Sequence, residues 1–181
     1  MIRAAVNNSS RVKATAKEAL LYVLLCSFAF LMCTIVLSVN YVPSESMEPT
    51  IQRNHLIVNY RLKCMISDPV PEYGTVIVFR EHGGKQRLLV KRVIGLPGDT
   101  ISFSTGKVYR NGEELEEPYL LKQGVSYSAV TEFCVPDRAL FVLGDNREMS
   151  NDSRFMEGTF VPIENVYAWE LFQVPFYFRI Y

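Results

Sequence analysis

Two serines, Ser44 and Ser46, stand close together in the stretch NYVPSESMEPTI, where a hydroxyl could act as a nucleophile. A serine hydroxyl attacks a carbonyl carbon only when a neighbouring base accepts its proton. The sequence has two histidines, His55 at the start of a predicted strand and His82 beside a Gly-Gly turn. A strand edge and a turn do not hold an imidazole as a Ser/His/Asp triad requires. A catalytic serine in this chain therefore needs a base other than histidine.

Lysine can act as that base if its amine is neutral. An ordinary lysine, with a pKa of about 10.4, is neutral in only about one molecule in a few thousand at pH 7. Lowering the pKa by about three units takes roughly 4 kcal/mol of preference for the neutral form, which burial among apolar groups supplies. In RLLVKRVIG, strand alternation places Lys91 on one face with Leu89 and Val93, and Arg92 on the other. The segment alone also fits a lysine that reaches from an edge strand into water.

The cysteines do not predict a metal site. Cys26 and Cys33 lie in an apolar run, and Cys64 and Cys134 have no partner at ligand spacing. We expect neither a metal nor another cofactor. In an oxidising compartment Cys64 and Cys134 either form a disulfide or remain two separate thiols, because the sequence does not determine the distance between their Cα atoms.

The apolar run precedes the serines and predicts a membrane helix over residues 19–39. No charged residue occurs between Glu18 and Glu45, and about 20 such residues cross a bilayer as a helix. A cleaved signal peptide would have an apolar region of about 7–15 residues and a small-x-small site, which SVNYVP lacks. The basic residues before the run are Arg3, Arg11, Lys13 and Lys17. We therefore expect residues 1–18 in the cytoplasm and residues 40–181 on the exported side of the membrane.

The remainder of the chain has the pattern of an antiparallel β domain, either a sheet or a barrel-like arrangement. Short segments rich in β-branched and aromatic residues alternate with Gly, Pro, Asn and Asp: HLIVNY, GTVIVF, RLLVKRVIG, DTISFS, GKVYRNGEEL, ALFVLGD and VYAWELF. Asn111-Gly112 and Gly83-Gly84 each predict a hairpin turn. Basic and acidic residues balance at 19 each, so nothing in the overall charge predicts nucleic-acid binding.

Three motifs occur in order after the basic-flanked apolar run: PSESMEPT, VKRVIGLPGD and GDNREMSNDSR. Together they closely resemble type I signal peptidases, the membrane-bound serine/lysine endopeptidases that remove signal peptides from exported proteins. The resemblance covers the apolar run and nearly all of the domain. It implies exported precursor proteins as substrates, a single-pass position in the inner (cell) membrane, and no cofactor. The short span from Asp99 to Gly144 implies that the extra β domain of some members is reduced to one or two hairpins.

The resemblance also implies roles for individual residues. Ser46 matches the nucleophile and Lys91 the general base, through an acyl-enzyme that water hydrolyses. Ser44 matches the hydroxyl that stabilises the oxyanion beside the main-chain N–H of Ser46, and Ser150 matches the residue that orients the lysine ammonium. A structural network behind the site is implied for Asp145, Arg147, Asp152 and Arg154, and a shallow apolar pocket for Met47, Ile51, Ile57, Leu89 and Val90. The last five also fit an ordinary core.

The backbone around the serines carries two prolines. Pro43 and Pro49 restrict their own φ angles and bias the preceding residues away from helix, so we expect Ser46 in a rigid extended loop. At the aromatic C-terminus we expect Trp169 and Phe172 in the core. Lipid contact is expected for the residues that follow: Phe176, Tyr177 and Phe178.

Three alternatives compete with a general signal peptidase. Departures such as DSRFMEGTF and NVYAWELF in the last motif and strand leave open a peptidase dedicated to a secretion, conjugation or pilus system. A self-cleaving repressor would use the same serine/lysine chemistry, but it would carry a DNA-binding segment and an Ala-Gly site, which this sequence lacks. A catalytically inactive, membrane-tethered β module is the third alternative, and a cleavage assay excludes it.

Overall fold

The computed structural model describes residues 2–67, 69–81, 87–120 and 131–176. The chain divides into two compact units, residues 1–36 and 37–181. The first is a single helix, α1, over Ile2–Val36. Its part from Lys17 to Val36 is long and apolar enough to cross a membrane by length and composition. The helix ends three residues before the predicted boundary at Val39, because LSVNYV pairs as a strand with the segment after the serines.

The second unit is built from antiparallel strands, which confirms the predicted fold class. The described part of this unit contains a five-residue helix, α2 (Leu62–Ile66), and eleven strands. The strands are β1 Leu37–Val42, β2 His55–Tyr60, β3 Val76–Arg80, β4 Leu88–Gly95, β5 Thr100–Ser104, β6 Lys107–Arg110, β7 Glu113–Glu114, β8 Thr131–Cys134, β9 Ala139–Leu143, β10 Val161–Pro162 and β11 Val166–Pro175. Strands β1, β8 and β10 were not predicted. The hydrophobic pattern of the sequence did not reveal β1, because its first three residues, LSV, continue the apolar run of the helix.

The strands form two sheets. The large sheet has the order β1-β2-β11-β3-β4-β9-β10, and the small sheet has the order β7-β6-β5-β8. The predicted turn between β6 and β7 is confirmed: Asn111 and Gly112 both have positive φ, as a two-residue type I′ hairpin requires. The predicted turn at Gly83-Gly84 lies outside the described residues.

The core consists of three clusters of buried apolar side chains, and one of them joins the two sheets. In that cluster Ile94, Phe141 and Leu143 of the large sheet pack against Ile101 and Phe103 of the small sheet. Strand β4 ends there at Gly95, close to the point where the chain turns into β5. The small sheet is thereby packed against the strand that carries Lys91.

Strand β11 corrects one prediction about the aromatic C-terminus. Trp169 packs against a core cluster, as expected. Phe172 is 53% exposed, so its predicted core position is wrong. The reason is that the described core clusters contact β11 only as far as Trp169, and beyond it Leu171, Phe172 and Val174 are all exposed. Phe176 is also exposed and its ring meets that of Tyr41 edge to face.

The predicted residues Tyr177 and Phe178 lie outside the described part of the chain. Cys64 and Cys134 are both free thiols in the structure, which is the second of the two alternatives that the sequence left open.

The junction between the sheets predicts that Gly95→Ala destabilises the domain. A Cβ at this position would lie 2.9 Å from Ile101 Cγ1 and 3.0 Å from both Phe141 Cβ and Val135 Cγ2. Overpacking of this kind costs about 1–3 kcal/mol. Chemical denaturation of the full chain in detergent measures the loss, with Ser102→Ala on β5 as the control. Equal stability of Gly95→Ala and wild type would contradict the packing.

Candidate active site

The segment that carries Ser46 leaves the large sheet after β1 and returns to it as β2. The predicted extended loop is wrong, because hydrogen bonds fold the segment into two successive turns. Glu48 N–H donates to the Glu45 carbonyl at 3.1 Å, and Ile51 N–H donates to the Met47 carbonyl at 2.9 Å. Ser46 lies inside the first turn and is only 7% exposed.

Lys91 reaches Ser46 from strand β4. Its Nζ donates a hydrogen bond to Ser46 Oγ at 2.7 Å, across 45 residues of sequence. The side chain is buried, with 3% of the residue exposed. Ser44 Oγ lies 3.3 Å from Ser46 Oγ. The structure therefore brings together the predicted nucleophile, the predicted base and the predicted oxyanion hydroxyl.

Burial changes the chemistry of Lys91. Loss of hydration lowers its pKa to about 8, because the charged form loses more than the neutral form when water is removed. Asp152 and Asp145 oppose that shift, and Arg87 and Arg154 add to it. At pH 7 about one molecule in ten then carries a neutral amine, roughly 200 times the fraction of an ordinary lysine. A neutral lysine in hydrogen-bonding contact with a serine hydroxyl can accept its proton.

The loop that follows β9, residues 144–150, packs directly on the nucleophile segment. Asn146 N–H donates to the Ser46 carbonyl at 3.1 Å. A Cβ at Gly144 would lie 2.4 Å from that carbonyl oxygen and 2.2 Å from Ser150 Oγ, so the close approach requires glycine.

Ser150 is buried against the same glycine, and among the described residues its Oγ has no hydrogen-bond partner. Its role in orienting the Lys91 ammonium stays a prediction.

Asp152 and Arg154 hold the main chain of this loop. Arg154 Nε and Nη2 donate to the two carboxylate oxygens of Asp152 at 2.8 and 2.9 Å, and both side chains are almost fully buried. Asp152 Oδ2 also accepts the Gly144 N–H at 3.0 Å. Arg154 Nη2 donates in addition to the Arg147 carbonyl at 2.8 Å. The pair therefore holds the loop at its first residue, Gly144, and at its middle, Arg147.

The other two predicted network residues pair with partners that sequence reasoning missed. Asp145 accepts from Arg92 Nε at 2.9 Å and from Nη2 at 2.5 Å. Arg147 forms a two-point pair with Glu117 in which both side chains are buried. Arg92 directly follows the predicted base, and Glu117 stands in the EEPYL segment after the hairpin. The signal for Arg92 was its position next to Lys91.

The predicted pocket residues divide between two clusters. Met47, Ile51 and Ile57 are fully buried in one cluster, and Val90 packs against it. Leu89 packs against another cluster, because neighbouring residues of a strand point to opposite faces. The structure does not bring Leu89 together with the other four, and a role in substrate binding stays a prediction for all five.

The predicted non-catalytic histidines are accounted for as far as the described residues allow. His55 Nδ1 lies 2.8 Å from Gln173 Oε1 of strand β11. Gln173 also accepts the Gln52 N–H and donates to the Thr50 carbonyl, so it is Gln173, in contact with the His55 ring, that joins β11 to the end of the nucleophile segment. His82 lies outside the described residues.

Comparison with known proteins agrees with this geometry. Residues 15–174 match the family model described as "Signal peptidase, peptidase S26". The chain is 38% identical over 139 residues to probable signal peptidase I-2 of Synechocystis, covering 74% of this chain and 61% of the relative. It is 36% identical to probable signal peptidase I-1 of Synechocystis, covering 80% and 74%. It is also 36% identical to signal peptidase I of Bacillus amyloliquefaciens, covering 84% and 86%.

The family match extends from the apolar part of α1 to the end of β11, and includes both the serine segment and the lysine strand. The chain spans between 61% and 86% of the length of these relatives. The chain belongs to the signal peptidase family, peptidase S26, and within it to the serine endopeptidases of the signal peptidase I type.

Proposed function

We propose that this chain removes signal peptides from exported precursor proteins, with Ser46 as nucleophile and Lys91 as general base. The observation that carries the proposal is the 2.7 Å contact between Lys91 Nζ and Ser46 Oγ at a position where the lysine is buried. Membership of the family supports precursors as the substrate class.

The mechanism follows from the two side chains. The neutral amine of Lys91 accepts the hydroxyl proton as Ser46 Oγ forms a bond to the carbonyl carbon of the scissile peptide. The resulting ammonium then gives this proton to the leaving nitrogen as the C–N bond breaks, which leaves an acyl-enzyme. Water attacks the ester with Lys91 again as base, and Ser46 is released.

The oxyanion of the tetrahedral intermediate needs donors that are already in place. Ser44 Oγ, 3.3 Å from Ser46 Oγ, supplies one, and the main-chain N–H of Ser46 supplies the other. Loss of one such donor costs about 100- to 1,000-fold in kcat in a well-studied serine protease. The closeness of the Ser44 hydroxyl to the nucleophile supports it as the side-chain donor of this proposal.

The position in the cell follows from the first unit. The apolar part of α1, Lys17–Val36, serves as a single-pass anchor in the inner membrane, and the basic residues of the first 17 positions keep the N-terminus in the cytoplasm. Residues 37–181 are the exported peptidase domain, on the side where signal peptides emerge. No cofactor takes part.

The first prediction is that Ser46→Ala and Lys91→Ala each lower cleavage by about 10⁴-fold or more, because nucleophile and base act as a unit. The detergent-solubilised chain is incubated with a precursor bearing an Ala-X-Ala site, and mass spectrometry identifies the new N-terminus. His55→Ala is the matched control and keeps most of the activity. Cleavage by Lys91→Ala at the wild-type rate would contradict the assignment, and no cleavage by wild type would favour the inactive β module.

The second prediction concerns pH. Since the base must be neutral, kcat/KM rises with pH along a limb with an apparent pKa of about 8 and falls about tenfold per pH unit well below it. Initial rates between pH 6 and pH 9 measure the limb. His55→Ala, which leaves Ser46 and Lys91 in place, must show the same limb. A flat profile over these three units would exclude Lys91 as the base.

The third prediction concerns substrate choice. Met47 and Ile51 are fully buried beside the nucleophile, and Val90 packs against them, so the space for a side chain at position −1 is small. Precursors with Ala, Gly or Ser at −1 are cut well, because a single extra methylene costs about 1–3 kcal/mol and larger side chains clash more. A panel varied at −1 and −3 tests this, with the cut site read by mass spectrometry. Efficient cleavage after Leu, Phe or Lys would indicate a broader membrane protease.

A further inference from the structure

Glu117 and Tyr119 belong to the segment that follows the small-sheet hairpin, yet both side chains contact residues around the proposed catalytic pair. We propose that they are positioning residues: Glu117 holds Arg147, Tyr119 holds Arg92, and through these arginines the segment fixes the main chain at Ser46. This inference rests on the proposed function and adds to it a contribution from the segment that follows the small-sheet hairpin. Neither residue touches the reacting atoms.

Glu117 and Arg147 form a pair that is closed to water. Their side chains are 7% and 4% exposed, and two hydrogen bonds join the guanidinium to the carboxylate. The same guanidinium donates through Nε to the Gly144 carbonyl at 3.0 Å. Glu117 therefore neutralises the buried charge of Arg147, and the Arg147 guanidinium binds the carbonyl of Gly144, the first residue of the 144–150 loop.

The 144–150 loop, which Arg147 holds through the Gly144 carbonyl, also packs on the nucleophile segment. Asn146 N–H donates to the Ser46 carbonyl, and the Gly144 Cα is so close to that carbonyl that a Cβ has no room. A displacement of the loop therefore moves the Ser46 main chain with it. Misplacing reacting groups by about 1 Å can reduce the rate about 100-fold.

Tyr119 connects the same segment to the strand of the base. Its hydroxyl donates to Glu117 Oε1 at 2.7 Å, and its ring lies 4.0 Å from the centre of the Arg92 guanidinium. Arg92 in turn pairs with Asp145 and donates to Thr50 Oγ1 at 3.2 Å, on the nucleophile segment. Burial, and then the neighbouring Glu117 carboxylate, raise the pKa of Tyr119, so the hydroxyl keeps its proton and remains a donor.

A second ion pair beside the small sheet provides the matched control. Asp99 accepts from Arg110 Nε at 2.7 Å and also accepts from Asn111 and from the Leu96 N–H. These partners lie at the end of β4 and in the β6–β7 hairpin. Asp99→Asn therefore removes a partly buried charge of similar kind without touching Ser46, Lys91 or the loop.

The test uses the full chain in detergent with the variants Glu117→Gln, Tyr119→Phe and Asp99→Asn. Two measurements are made: kcat and KM for an Ala-X-Ala precursor, and hydrogen exchange of the peptides that cover residues 144–150 and the β5 core. We expect Glu117→Gln to lower kcat about 10- to 100-fold with little change in KM, and the Asn146 amide to exchange faster while β5 stays protected. Tyr119→Phe, which loses the hydrogen bond and keeps the ring, changes both in the same direction by less. Asp99→Asn changes neither.

Several results would overturn the inference. One is wild-type kcat and exchange in Glu117→Gln. Another is faster exchange across β5 as well as the loop, which would show a general loss of stability. If Glu117→Gln does not fold, Tyr119→Leu, which removes both the hydrogen bond to Glu117 and the ring beside Arg92, decides by the same criteria. Failure of wild type to cleave the precursor would defeat the proposed function, and the exchange data would still judge whether Glu117 positions the Ser46 main chain.

Discussion

The removal of water from Lys91 is the constraint on which the rest of this structure depends. Burial lowers the pKa of the amine to about 8, against an ordinary value near 10.5. That difference corresponds to roughly 3 kcal/mol by which folding disfavours the protonated lysine at neutral pH. Between about pH 8 and pH 10.5 the unfolded chain binds the proton and the folded chain releases it, so this unfavourable contribution shrinks as pH rises through that window. The same burial that disfavours the protonated lysine makes its neutral amine available as a base.

The large sheet provides the position at which Lys91 is shielded from water. Lys91 lies on β4, an inner strand of the sheet between β3 and β9; Lys91 pairs with Ile77 of β3, and the pairing with β9 begins at Arg92. The serine arrives from the connection between β1 and β2, and the 144–150 loop arrives from the end of β9. Three stretches distant in sequence thus meet at the middle of β4, beside Lys91 and Arg92, whose side chains point to opposite faces by strand alternation.

Several buried charges near Lys91 are paired with opposite charges. Three arginines, Arg92, Arg147 and Arg154, each make a two-point pair with a carboxylate. A buried ion pair adds little net stability, but breaking one by removing a single partner is strongly unfavourable. The pairs therefore keep the loops in one geometry, and they do so with main-chain contacts to Gly144 and Arg147 rather than with contacts to the lysine.

Local pattern and chain order, which belong to the sequence alone, determined much of this protein. The apolar run, the strand segments, the Asn111-Gly112 hairpin and the candidate pair of Ser46 and Lys91 follow from periodicity, turn chemistry and three ordered motifs. Tertiary structure determined the features that the periodicity of the sequence does not encode. The strand of residues 37–42 depends on pairing with β2, and the turns around Ser46 depend on hydrogen bonds. The exposure of Phe172 depends on how far along β11 the core extends. The partners Glu117 and Arg92 came from tertiary structure for the same reason: a charged side chain in a sequence shows what it can bind, whereas the identity of its partner depends on which distant segments the sheets bring within hydrogen-bonding distance.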